Sequence, residues 1–117
     1  MSCPEFVAKS LAMRTAVHLA HLTTKSYAAH VALNEFYDGI VDPVDRLAEI
    51  HLAEKPDAVF PSIRVPDYTD MMRVFAGYLS EVRKELKDEA EHKAKENIIT
   101  EIEELTLSTI YKLKRFS

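Results

Sequence analysis

The sequence predicts an all-α domain, and three observations carry that prediction. Helix formers dominate its 117 residues, with Ala, Leu, Glu, Lys and Met recurring throughout. Only two Gly and five Pro are present, too few for the tight turns of a β-sandwich or barrel and for a disordered linker. Apolar residues make up 47% and charged residues 29%, with both signs interspersed, which suits one packed core under a solvated surface. The length fits a single domain spanning residues 1–117.

The first helix runs from Pro4, a residue suited to a first turn, to about Thr24. Phe6, Met13, Val17 and Ala20 line one face, with Leu11, His18 and His21 beside it. Thr23 to Ser26 form a turn, with Ser26 as N-cap of a second helix from Tyr27 to Glu54. His30, Asn34, Tyr37, Val41 and Ala48 follow one stripe of it. Gly39 and Pro43 lie inside and can bend or divide it; the reading keeps one long, kinked helix.

Lys55 to Pro66 holds three prolines, which forbid a regular helix. Asp67 then caps a third helix with Met71, Phe75, Tyr78, Leu79, Val82 and Leu86 on its core face. Met71 and Met72 read as core gap-fillers. The charged stretch Lys87–Glu96 reads as a turn. The last helix carries Ile98, Ile99, Ile102, Leu105, Ile110, Leu113 and Phe116, and Lys112, Lys114 and Arg115 suit its negative end. Lys84, Lys87, Lys93 and Lys95 are interleaved with acids and read as a solvated face.

The connector of about a dozen residues, extended at about 3.3 Å each, reaches about 40 Å, the length of such a bundle. It can therefore return the chain parallel to the second helix. One long, Pro-containing crossover between helices 2 and 3 is the ferritin-like four-helix topology.

Composition excludes several functions. A net charge of −4 argues against nonspecific nucleic-acid binding through bulk charge. The single Cys3 rules out a disulfide framework and a Cys-rich zinc module, and reads as a near-terminal thiol without a role. No basic leader precedes an apolar run, and no run nears the roughly 18 residues of a membrane span. The expectation is a soluble, cytoplasmic protein with no membrane partner. A glycine-rich phosphate loop, a Cys/His nucleophile pair, a G-x-S-x-G elbow and an H-E-x-x-H zinc motif are all absent.

The histidines and the acids of the second helix carry the chemistry. Imidazole plus carboxylate suits iron, with zinc or manganese accepted by the same donors. His21 ends one helix and His30 starts the next, so antiparallel packing brings their rings close; His18 lies one turn behind. Asp45 and Glu49, four apart, share a helix face. His30 and Asp45 stand 15 residues apart, which is about 22 Å along a helix. One chain cannot bring them to one ion, so a shared site needs a second subunit. A twofold dimer through antiparallel second helices would place His21 and His30 opposite the partner's carboxylates, making two equivalent sites. His51 and His92 read as surface residues.

Four stretches resemble the Dps-type mini-ferritins of starved bacterial cells. They are His21-Leu22-Thr23, Tyr27-Ala28-Ala29-His30, Phe36-Tyr37-Asp38 and Asp45-Arg46-Leu47-Ala48-Glu49-Ile50. Phe60-Pro61 and Val82-Arg83-Lys84 are similar to that family's crossover and third helix. The likeness spans Leu11 to Phe116, and the His–Tyr–Ala–His stretch looks closer still to a short bacteriophage-encoded ferritin-like branch. The resemblance implies His21, His30, Asp45 and Glu49 as ligands of an intersubunit ferroxidase site, and iron oxidised by peroxide and stored in a shell. Tyr37 would be an aromatic neighbour of that site. Asn34 stands where the family has a carboxylate, and Leu22 replaces its tryptophan. The first turn is shorter, so a gapless alignment makes His18 the ligand instead of His21. The chain lacks a basic tail, so DNA binding by the family's arm is not expected. The alternative is a non-enzymatic structural or adaptor subunit without metal, serving a virion or binding a viral or host protein.

Overall fold

The structure is a computed structural model that describes residues 1–67, 70–87 and 92–116. The Ser2 hydroxyl accepts from the Glu5 N–H at 3.2 Å, and a proline in the first turn needs no donor, so helix α1 runs over Cys3–Thr23. The Ser26 hydroxyl caps α2 (Tyr27–Gly39) by accepting from the Ala29 N–H at 3.1 Å. The long second helix is divided: α3 spans Val41–Glu54, with Ile40 between. Pro43 lacks an N–H for the Gly39 carbonyl and crowds it, which bends the rod at that point. Gly39 itself lets α2 approach a neighbour, since a Cβ there would stand 3.2 Å from Leu105 Cδ2.

α4 covers Met71–Leu86 and α5 His92–Phe116. Two expectations are corrected here. Asp70, not Asp67, is the N-cap residue of α4. The charged stretch is not all turn, because α5 already begins at His92. Among the described residues no strand occurs.

Contacts between helices fix the topology. Phe6 stacks on Phe75 at 5.8 Å while the Met1 amino group meets Glu85 at 2.7 Å, so α1 and α4 run antiparallel. Arg14 lies against Tyr37 and His21 against His30, so α1 and α2 are antiparallel as well. Two helices that both oppose α1 run parallel to each other. Lys112 reaches Glu35, Arg46 reaches Glu101, and Lys95 reaches His51, so α5 opposes the α2–α3 rod along its whole length. Around the bundle the order is α1, α2–α3, α5, α4, with α4 diagonal to α2–α3.

The connector follows from that arrangement. Phe60, Pro61 and Ile63 lie beside Val7 and Leu11 near the start of α1, and Val65 and Pro66 lie beside Ala16 and Thr23 near its end. It crosses the molecule, whose long dimension is 44 Å.

The core is built from Phe6, Met13, Val17, Phe36, Ile40, Leu47, Phe75, Leu79, Val82, Leu86, Ile99 and Ile102, all 2% exposed or less. On α2–α3 the buried stripe is Leu33, Phe36, Ile40, Val44 and Leu47, beside the expected one. Bulky apolar side chains take the centre there, and His30 and Asn34 are left half-buried at its margin. Arg83 clasps α4 to α5 through Glu96 and Glu103, each at 2.6 Å, and the Glu103 hydrogen bond first of all holds its guanidinium charged. Cys3 is buried, 1% exposed.

A candidate histidine centre where the first two helices turn

Three residues, Thr24 to Ser26, join α1 to α2, and the caps on both sides set the register of the flanking histidines. The Thr24 N–H closes α1 on the Ala20 carbonyl at 2.9 Å, and the His30 N–H bonds the Ser26 carbonyl at 2.9 Å. His21 in the last turn of α1 and His30 in the first turns of α2 then meet face to face, centroids 3.6 Å apart and planes 21° from parallel.

Each ring is pinned by the other's backbone. His21 Nδ1 stands 2.6 Å from the His30 carbonyl oxygen, and His30 Nδ1 2.9 Å from that of His21. A carbonyl only accepts, so both Nδ1 atoms carry the proton and donate. The neutral rings are therefore Nδ1–H tautomers, with the lone pair on Nε2. The His21 carbonyl belongs to the last turn of α1, where no intrahelical donor is available, so the His30 ring satisfies it. A backbone-bonded Nδ1–H is the usual outer support of a histidine that binds metal through Nε2.

Further rings extend the stack. His18 lies on Tyr37 at 4.1 Å, and Tyr37 meets His21 edge-on at 5.2 Å. Arg14 Nε donates to the Tyr37 carbonyl at 3.2 Å, an acceptor freed where the rod bends. His21 is buried, while His18, His30 and Asn34 are half-buried.

Asp45 and Glu49 stand elsewhere, exposed on α3. Arg46 pairs with Asp42 at 3.1 Å and with Glu101, and is not the partner of Asp45. Among the described residues of one chain, no three His, Cys, Asp or Glu side chains gather to hold an ion. The structure thus brings His18, His21, His30 and Tyr37 together and leaves the two carboxylates apart.

A second polar centre at the other end went unread in the sequence. His51 and Lys95, both expected at the surface, are buried at 4% and 0% exposure. Lys95 Nζ donates to His51 Nδ1 at 3.0 Å, with Glu54 at 3.8 Å. The early start of α5 explains the correction: Lys95 sits three residues inside the helix, opposite the last turn of α3. Lys84, Lys87 and Lys93 are exposed, as expected. The surface reading of the His92 side chain lies outside the described residues.

Among the described residues no helix is long and apolar enough to cross a membrane. No curated protein and no solved structure matches the chain. A family signature does match over residues 21–113, most of the length, and includes both stacked histidines. The chain belongs to that family, a family of unknown function designated DUF5856.

Proposed function

We propose that the chain is a ferritin-like bundle that binds and oxidises ferrous iron at a twofold interface between two copies, and sequesters the product. The reciprocal Nδ1–carbonyl bonds of His21 and His30 carry this reading, because they aim the chemistry at Nε2. The crossover and the diagonal packing of α4 against α2–α3 suit a ferritin-like bundle. Charge supports the pairing of two chains. Residues 6–34, which include both histidines, contain no Asp or Glu, while α3 offers Asp42, Asp45 and Glu49.

Near-parallel rings hold their lone pairs in near-parallel planes, so the two Nε2 atoms do not converge on one ion. Two ions, one per ring, fit the stack better. Asp45 and Glu49 of a second chain would supply hard oxygen donors that favour the ferric product, with Glu49 bridging. Each ferrous ion gives up one electron, and one hydrogen peroxide takes two as its O–O bond breaks to give two hydroxides.

A second reading is favoured by Asn34, half-buried one turn after His30. A neutral amide there weakens a hard-cation site, and the fold would then serve as a structural or adaptor subunit for a viral or host protein. Native mass spectrometry before and after ferrous iron decides between them. The iron reading expects a symmetric oligomer that gains two such sites, about four iron ions, per dimer and a His30→Ala variant that gains none. A small assembly without iron uptake, or an unchanged His30→Ala variant, overturns it.

A further inference from the structure

The outward face of α5 carries large apolar side chains that its own bundle does not cover. Leu107 and Tyr111, one turn apart, are 56% and 54% exposed. Phe116 meets the Tyr111 ring edge-on at 5.9 Å. α5 packs on α2, α3 and α4 through its other side. Followed in both directions, the exposed strip reads Asn97, Thr100, Glu104, Leu107, Tyr111 and Lys114. The steps alternate between three and four residues, the seam spacing of a coiled coil. Glu101 and Arg115 flank that seam and are also exposed.

Charge changes sign along the strip. Glu101 and Glu104 precede its apolar middle, and Lys114 and Arg115 follow it. Glu101 holds Arg46, whereas Glu104, Lys114 and Arg115 have no ion-pair partner among the described residues. Asp70, beside Lys114, is held by Arg73 at 3.1 Å. A strip that runs acid, apolar, base matches its own reverse. A second α5 laid antiparallel, with the two helices level at Thr109, sets Leu107 of each copy against Tyr111 of the other. Positions 104 and 114 are equally far from 109, so the same register sets each Glu104 against a Lys114. Glu101 then flanks Arg115. A parallel pair would face acid with acid and base with base. An anionic surface would meet Glu101 and Glu104, and a cationic one Lys114 and Arg115, so a surface of one sign suits only half the strip.

We propose that the outer face of α5 pairs antiparallel with α5 of a second copy, with Leu107 and Tyr111 at the centre and Glu104 opposite Lys114 on both sides. The contact is isologous, so each favourable pair occurs twice. From Glu101 to Phe116 it spans about 22 Å of helix. That is short for a permanent interface, so the association is weak and depends on concentration. It uses neither α2 nor α3 and is independent of the iron reading. A chain that carried both twofold contacts would assemble beyond a dimer.

The test is sedimentation equilibrium of the full chain from about 10 to about 500 µM. Association is expected, and it should weaken with added salt. Glu104→Lys and Lys114→Glu should each weaken it at least about tenfold, because each sets like charges opposite one another twice per dimer. Leu107→Ser, which removes the apolar centre, should weaken it as well. All three replace exposed side chains, so helical content by circular dichroism should match the parent's. Mixed in equal amounts, Glu104→Lys and Lys114→Glu should associate with each other within about threefold of the parent's affinity, since opposite charges then face one another again at both positions. His30→Ala should associate as the parent does, so failure of the iron reading leaves this contact standing. A monomer across the whole range, or a mixture no tighter than its two components, overturns the proposal. So does association that the three variants leave unchanged, which would place the contact elsewhere, such as on α2–α3.

Discussion

The two ends of the bundle each set a histidine between packed helices, and they use the imidazole in opposite ways. At the α1–α2 turn, Nδ1 of His21 and of His30 donates to a carbonyl, and Nε2 keeps the lone pair. At the α3–α5 end, Nδ1 of His51 accepts from the Lys95 amine and so carries the lone pair itself. The first arrangement spends the backbone on the proton and leaves the lone pair on Nε2. The second spends the donor atom on a lysine inside the fold. The difference teaches that the partner of one ring nitrogen, more than the presence of a histidine, separates a ligand from a structural group.

The comparison breaks most visibly through stability. Lys95→Ala removes the fully buried ammonium that meets His51 and the half-buried Glu54, and should destabilise the protein by about 3 kcal/mol. His30→Ala removes one half-buried hydrogen bond and should cost about 1 kcal/mol. Urea unfolding of both variants measures the contrast. Equal losses would mean that the two ends do the same structural work.

Activity should reverse that order. His30→Ala is expected to lower ferrous oxidation at least about tenfold, while Lys95→Ala, assayed below its unfolding temperature, should retain it. A sharper version separates the ligands by chain. His30→Ala and Asp45→Asn are each expected to be inactive alone. Co-refolded in equal amounts, they should regain roughly one quarter of the parent's iron sites, because half the dimers then hold one intact site of two. Zero recovery would confine the site to a single chain.

The two ends were unequally legible in the sequence. His21, His30, the Ser26 cap and the short turn lie within ten residues, so local rules sufficed to bring the rings together. Crossover length followed from three prolines and chain reach. His51 and Lys95 are 44 residues apart and meet only through the register of α3 on α5. Lys95 sits in a run of charges, and nothing local marks one lysine of such a run as the one that turns inward. The same limit hid the division at Ile40 and the cap at Asp70. In the first case two bend-prone residues competed; in the second, two aspartates three positions apart offered the same capping chemistry.

The smallest expected effect serves as the control for both ends. Gly77 lies exposed within α4, and a Cβ there meets nothing within 4 Å. Gly77→Ala should therefore stabilise the protein by about 0.5–1 kcal/mol, through reduced freedom of the unfolded chain alone. Gly39→Ala should gain less, because its Cβ would press on Leu105 at 3.2 Å. Introduced into Lys95→Ala, Gly77→Ala should return part of the lost stability, since the two sites are independent. Introduced into His30→Ala, it should leave iron oxidation as low as before. Recovery of oxidation there would show that His30 acts by holding the fold, and the difference between the two ends would become one of degree.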